Sequence, residues 1–429
     1  MKQLLLKANS KKQKWKKTFK SSTSSNESLT SDDENEVSKN IVGTFFNNRY
    51  FCLKYLGRGT FCRVWLVYDI VEDKYRAMKS VFEEYYDDGN IEIKMMHRLN
   101  NINDINSNVI KLLDHFCINK KIHMIYELYG ISLLDLLSTY EENETLPLNV
   151  IKKIIKNIII ALNELHQKEI IHADLKAENI LLNIYNPNII KIITDFSNQN
   201  PQQKYNYLLK NNIPEDINNY EKNKKKSLKK KAKLRALKQF IENIKIPIIK
   251  NKQLEKPLLD INNLKIKLID LGNSEINKNC IQEEVNLRCY RAPENIIDDE
   301  YDMKVDIWVV GCLTYELITG EYLFDLTNYN NSYDKNKEHL YQMYELFGKI
   351  PKEYLDKCTY REEYFDQKCR LLKYRKYDHV SIHDILITEF DFDDSLAQDV
   401  SEFIGNMLLY DPKLRYDCEK LLNSNWLIN

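Results

Sequence analysis

Apolar residues along this chain follow two different periods. From Arg49 they fall in short runs rich in β-branched and aromatic residues, "YFCLKYLG", "CRVWLVYDI" and "KYRAMKSV", which read as strands of an antiparallel sheet joined by tight turns. In "NIEIKMMHRLN" the period changes: Ile91, Met95 and Leu99 recur every four residues, and that spacing predicts a helix. Beyond Pro147 helical spacing dominates, in "IKKIIKNIIIALNELHQK" and again in "DIWVVGCLTYELITG". A strand-rich unit over 42–130 followed by a larger helical unit predicts an α+β protein of two lobes with a cleft between them.

Two stretches break the pattern. Residues 1–41 pair a basic patch with "SSTSSNESLTSDDENE" and few apolar anchors, and read as a disordered tail. Residues 197–260 contain "EKNKKKSLKKKAKLRALKQFIEN", a lysine-dense insert with poor core potential. It is expected to be an exposed spacer, partly helical or disordered, whose removal leaves folding intact. It divides the helical lobe into 131–196 and 261–429.

Composition adds constraints. With 429 residues, 43% hydrophobic and 29% charged, the chain has the make-up of a soluble globular protein with ample core. Its three consecutive leucines near the start are too short for a signal-peptide core, and no later run approaches a membrane span. Nine cysteines without CxxC pairs indicate neither a zinc site nor a disulfide framework, hence a reduced, intracellular compartment. The formal charge of zero hides a partition. Residues 1–41 carry 9 basic and 5 acidic groups, residues 197–260 carry 16 and 6, and the remaining body is left at −14. An acidic body attracts cationic partners and repels nucleic acid.

Candidate chemistry sits at fixed offsets. "LGRGTFCRVWLV" follows one predicted strand and precedes another. Gly57 and Gly59 let the backbone approach a phosphate chain and Val64 can cover a base, although Cys62 stands where a third glycine is usual. Alone this is a glycine turn in a hairpin. Lys79 of "AMK" follows, where Ala77 leaves room for a purine and Lys79 can reach phosphate oxygens. Glu92 on the next helix can hold Lys79 as an ion pair, with Glu83 and Glu84 as alternatives in a loop. In "HADLKAENIL", Asp174 can accept the proton of an attacking hydroxyl, Lys176 can neutralise a γ-phosphate and Asn179 can bind a metal ion. A second metal ligand is expected in an Asp-x-Gly on the next strand, and "KIKLIDLGN" supplies Asp270-Leu271-Gly272. Glu294 of "YRAPE", Asp306 of "DIWVVGC" and Arg415 of "DPKLRY" complete the set, as residues expected to tie a substrate platform together.

In this order the motifs resemble those of a eukaryotic protein kinase, over residues 45–429. Ala173 before the aspartate, "DLGN", "TGEYLFD" and "KEHLYQMYELFGKIPKEYL" narrow the resemblance to the SR-protein kinase family. So does a split core: Asn179 and Asp270 are 91 residues apart, and "KNKKKSLKKKAKLRALKQ" is similar to the lysine-rich start of that family's spacer. The resemblance implies a two-lobed kinase fold and a monomer that transfers the γ-phosphate of ATP, with Mg2+, to serines in Arg-Ser repeat proteins, mostly splicing factors, in cytoplasm and nucleus. It adds Leu56, Glu127, Tyr129 and Leu181 to the nucleotide site. It also implies a docking groove in the lower lobe with Glu321, Glu338 and Glu345 as its acids, and Arg288 and Arg291 as contacts to substrate phosphate or as platform salt bridges. Departures are Cys62, Ala177 where proline is usual, and "APE". Between Asp270 and Glu294 the only hydroxyls are Ser274 and Tyr290. With no arginine at 173 to receive a phosphate, activity is expected to be constitutive, unlike a MAP-kinase-like or dual-specificity relative. A pseudokinase scaffold would lack Lys79, Asp174 or Asp270, and all three are present. The spacer's basic run is open to three readings: an import signal, a partner anchor or a solvated face.

Overall fold

The computed structural model describes residues 41–99, 106–141, 144–249, 254–277, 285–298, 300–326, 332–372 and 379–428. The expected disordered tail lies, but for Ile41, outside the described residues. The strand-period segment folds as six antiparallel strands: β1 (Phe45–Phe46), β2 (Tyr50–Arg58), β3 (Cys62–Asp69), β4 (Lys74–Val81), β5 (Leu112–Ile118) and β6 (Lys121–Glu127), in the order β1-β2-β3-β4-β6-β5. Alternation sorts the side chains to two faces. Tyr50, Cys52, Trp65, Val67, Met78 and Ile125 pack on one face. The register pairs Val64 with Lys79 and Ala77 with both Leu66 and Tyr126, so these residues share the opposite face. Helix α1 (Tyr86–Leu99) buries Glu92, Met95, Met96 and Leu99.

The lower lobe is built on α2 (Leu133–Leu137) and α3 (Leu148–His166), whose isoleucines 151, 154, 155, 158 and 159 are buried. Two short ribbons follow: β7 (Ile170–Ile171) pairs with β10 (Glu275–Ile276), and β8 (Ile180–Leu182) pairs with β9 (Ile266–Leu268). Between β8 and β9 lie α4 (Pro187–Ser197), α5 (Pro201–Asn212) and α6 (Lys222–Asn243). Beyond them, α7 (Lys304–Thr319) is apolar on every side and buried, as a central helix must be. It ends on Gly320 in the left-handed conformation, φ 77°. Around it lie α8 (Ser332–Phe347), α9 (Ile382–Phe390), α10 (Asp394–Gly405) and α11 (Cys418–Leu422). Gly311 permits the contact with α10's end: a Cβ there would stand 2.8 Å from a Leu408 methyl carbon.

The insert departs from expectation. Helices fill the region between β8 and β9 from Pro187 onward, and residues 197–260 are not simply an exposed spacer. Ile192 and Phe196 of α4, Tyr205 of α5, and Ala236, Leu237 and Phe240 of α6 form one core with Phe51, Leu53, Leu66, Tyr68 and Ile70 of the upper sheet. Phe240 meets Phe51 edge-on at 5.4 Å between ring centroids and lies 5.7 Å from Phe45. The Tyr75 hydroxyl donates to the Ile193 carbonyl at 3.1 Å. The physical reason lies in α6: Ala232, Ala236 and Phe240 recur every four residues within the lysine run, a stripe narrow enough to be hidden by the charges around it. The insert therefore leaves the lower lobe at β8, covers one face of the upper sheet, and returns to the lower lobe at β9.

Candidate active site

The sheet face carrying Val64, Ala77 and Lys79 forms the roof of the cleft. In the β2–β3 turn the Gly59 amide donates to the Cys62 carbonyl at 3.0 Å, closing the hairpin, and space around Gly57 is open. Cys62 is buried, with burial pushing its thiol up to about 11. Leu56 packs at the margin of the insert core beside Leu128. Lys79 Nζ donates to Glu92 Oε2 at 2.7 Å and to Asp270 Oδ1 at 2.8 Å. Of the three candidate acids, Glu83 and Glu84 are exposed on a turn, whereas Glu92 is 3% exposed. Burial pushes the Glu92 carboxyl upward against the pull of Lys79. Burial alone would lower the Lys79 ammonium, but Asp270 and Glu92 hold it well above its ordinary range. The Asp270 carboxyl, also opposed by burial, stays below its ordinary value because of Lys79.

The floor is the loop after β7. Ala173 (φ 63°) and Asp270 (φ 68°) both adopt left-handed backbone, a conformation that persists only when its surroundings hold it. Asp306, in the first turn of α7 and 0% exposed, accepts the amides of His172 at 2.9 Å and Ala173 at 3.1 Å. His166 Nε2 lies 3.0 Å from the same carboxylate. Asp306 thus fixes the loop bearing Asp174 rather than tying a substrate platform together. Lys176 Nζ donates to both Asp174 oxygens, at 3.0 and 2.9 Å. Asn179 Nδ2 donates to the Asp174 carbonyl at 2.8 Å and its Oδ2 at 3.2 Å. Leu181 on β8 is half-buried between fully buried neighbours.

The connection between the lobes carries Glu127, 3.0 Å from Lys267 Nζ, and Tyr129, whose ring lies 6.0 Å from the same ammonium. Gly130 was not singled out from sequence. A Cβ there would stand 2.1 Å from the Ile184 carbonyl oxygen, so only glycine fits. Tyr126 was missed too. Its hydroxyl donates to Glu92 Oε1 at 2.6 Å. No sequence signal pointed to it, because a tyrosine on a strand reads as core.

Below the cleft, Arg415 grips Glu294 with both nitrogens, Nη2 to Oε2 at 2.6 Å, both side chains buried. Arg288 donates to Asn336 of α8, and Arg291 is half-buried just after the same turn. Glu321 follows α7, and Glu338 and Glu345 lie seven residues apart on α8. Glu338 is 6% exposed and accepts from Gln342 at 3.2 Å. This corrects its expected place in an open groove. Glu321 and Glu345 are half-buried and reachable.

The protein kinase domain model matches residues 50–210 and 254–427, on either side of α6. The serine/threonine-protein kinase SRPK of Physarum polycephalum is 30% identical, over 87% of this chain and 84% of its own length. The protein kinase dsk1 of Schizosaccharomyces pombe is 27% identical, over 89% and 81%. SRSF protein kinase 3 of Mus musculus is 24% identical, over 90% and 87%. With its ion-paired lysine, fixed Asp174 loop and split kinase core, this chain belongs to the eukaryotic protein kinases as a serine/threonine kinase of the SR-protein kinase family.

Proposed function

We propose that this kinase phosphorylates serines in arginine-serine-rich protein segments, from ATP with Mg2+, and needs no phosphate on its own activation segment. The residues suit the nucleotide. Val64, Ala77 and Leu181, with Leu56 at the margin, offer apolar surface to a base, the Glu127–Tyr129 backbone offers edge contacts, and Gly57, Gly59 and Lys79 suit the phosphates. Asp270 and Asn179 are oxygen donors of the kind Mg2+ prefers. Asn179 spends its amide nitrogen on Asp174, which frees its carbonyl oxygen for a cation. When bound, the metal neutralises charge on the transferring phosphate. Asp174 then takes the serine hydroxyl proton, and Lys176, already on its carboxylate, stands ready for the γ-phosphate.

The observation that carries the constitutive reading is how the activation segment is fastened. At its start Glu275 and Ile276 pair with β7. Near its end the Asn286 amide donates to the Ala173 carbonyl at 2.9 Å. Both hydroxyls of the segment are 2% exposed: Ser274 donates to the His172 carbonyl at 3.2 Å, and Tyr290 donates to Glu316. Backbone bonds stand where a phosphate–arginine pair would otherwise be needed. At the other end of α1, Arg98 Nε donates to the Lys168 carbonyl at 2.6 Å, tying that helix to the lower lobe. For substrate class, the support is the acidic body, the reachable Glu321 and Glu345, and the name of the mouse relative, which specifies SRSF proteins. The test is an in vitro assay offering Arg-Ser, Lys-Ser and generic basic peptides. Preference for Arg-Ser by at least about tenfold in kcat/KM is expected, and equal use of all three overturns the assignment.

A further inference from the structure

We infer that Tyr126 is a positioning residue of the phosphotransfer site: its hydroxyl fixes Glu92, and through Glu92 the ammonium of Lys79. The inference rests on reading Lys79 and Glu92 as the phosphate anchor. Three bonds run in series, from Tyr126 Oη to Glu92 Oε1 at 2.6 Å, from Lys79 Nζ to Glu92 Oε2 at 2.7 Å, and from Lys79 Nζ to Asp270 Oδ1 at 2.8 Å. They join β6, α1, β4 and the Asp270 turn, which are the parts that must hold one arrangement for phosphate transfer.

A buried carboxylate has two oxygens to satisfy, and a lysine serves only one of them well. Glu92 is 3% exposed, so an oxygen left bare there would carry the desolvation penalty of a charged group. The Tyr126 hydroxyl removes that penalty only while α1 sits inward. If α1 swung out, Glu92 would lose both donors and the hydroxyl of Tyr126, a residue 7% exposed, would lose its charged acceptor, keeping only a contact to the weakly accepting Met124 Sδ at 3.4 Å. The bond therefore favours the inward state over any outward one. Tyr126 is itself held rigidly, because its backbone pairs with Ala77 on one side and Leu112 on the other. Its hydroxyl is thus aimed from a fixed strand at the helix that carries Glu92.

The test is a double-mutant cycle on the full chain with Tyr126→Phe, Glu92→Ala and the pair, the first removing one oxygen and no packing and the second removing the acceptor. Two quantities are read: kcat/KM for ATP with an Arg-Ser peptide, and the Kd for a fluorescent ATP analogue, which is measurable in slow variants. Tyr126→Phe alone should lower kcat/KM about tenfold, which converts to about 1.4 kcal/mol, and should weaken nucleotide binding. In the Glu92→Ala background the same change should have less than about a twofold effect on either quantity. Equal losses in both backgrounds would mean a general packing role and would overturn the inference, as would no loss from Tyr126→Phe alone. Wild-type values for Glu92→Ala would show that the phosphate-anchor reading has failed, and the inference with it.

Discussion

In Asp174→Asn the amide oxygen can stand at the Oδ2 position, where it still accepts from Lys176 and Asn179, and only the Lys176 contact at Oδ1 is given up. Asp174→Asn should therefore fold and bind ATP while turnover falls by at least about a hundredfold, because general-base assistance is worth roughly 10²–10⁴ in rate. Single-turnover kinetics beside nucleotide titration checks this. A second residue-scale expectation concerns Glu316, 5% exposed in α7, whose carboxyl is pushed up from 4.5 to about 7 by burial, against the pull of the Tyr290 hydrogen bond. Below 4.5 the group is neutral in both folded and unfolded chains. As pH rises toward 7 the unfolded chain ionises first, so a destabilising contribution grows and is complete above that value. Glu316→Gln should accordingly raise Tm at pH 8 and change it little at pH 5. A shift of equal size at both would show that charge is not its cause. From sequence, Lys79, Asp174, Asn179 and Asp270 were legible because each sits in a short motif, and the motifs follow in an order that resembles a protein kinase. Tyr126, Gly130 and Glu316 were not, since what marks each is a neighbour 34, 54 or 26 residues away.

At the scale of elements, α6 is the main departure from what its sequence suggested. Ten of its residues are lysine or arginine, yet its apolar stripe completes the core of the upper sheet. Phe240→Ala should cost about 3–5 kcal/mol, the usual range for a buried aromatic, read from urea unfolding. Removing residues 187–249 would uncover Phe51, Leu53, Leu66 and Tyr68 and should give an insoluble product. A soluble, active deletion would show the helices to be an accessory. The activation segment is the second case at this scale. Its hydroxyls are buried, so phosphatase treatment and Ser274→Ala should each leave the rate within about twofold. A loss above about tenfold, or ~1.4 kcal/mol of barrier, would mean that a phosphate is part of the active state.

Over the whole molecule, charge is separated: residues 1–41 and 197–260 are net positive, and the remaining body carries −14. Reversing Glu321 and Glu345 to lysine should weaken a long Arg-Ser substrate by about 1–3 kcal/mol, the range for charge-assisted contacts. A short peptide that reaches only Asp174 should be spared. Affinity of the wild type should also fall with added salt, because both acids are partly exposed. Measured KM for long and short substrates, in both forms and at two salt concentrations, decides the matter. An unchanged long-to-short ratio would reduce these acids to a solvated face. Glu338 is left out of this test because lysine at a 6% exposed position would disturb packing before it touched a substrate.

What the sequence determined by itself was whatever a local period or a fixed offset can encode. Strand alternation in "CRVWLVYDI", the four-residue step of Ile91, Met95 and Leu99, and the spacing within "HADLKAENIL" each specify geometry over a few residues, where backbone sterics leave little choice. Only the tertiary structure decided which partners met across long separations. It chose Glu92 over Glu83 and Glu84, turned Asp306 toward the Asp174 loop, sank Glu338, and laid a lysine-rich insert against the sheet. Each of those outcomes depends on burial, and burial is fixed by residues from distant parts of the chain packing together.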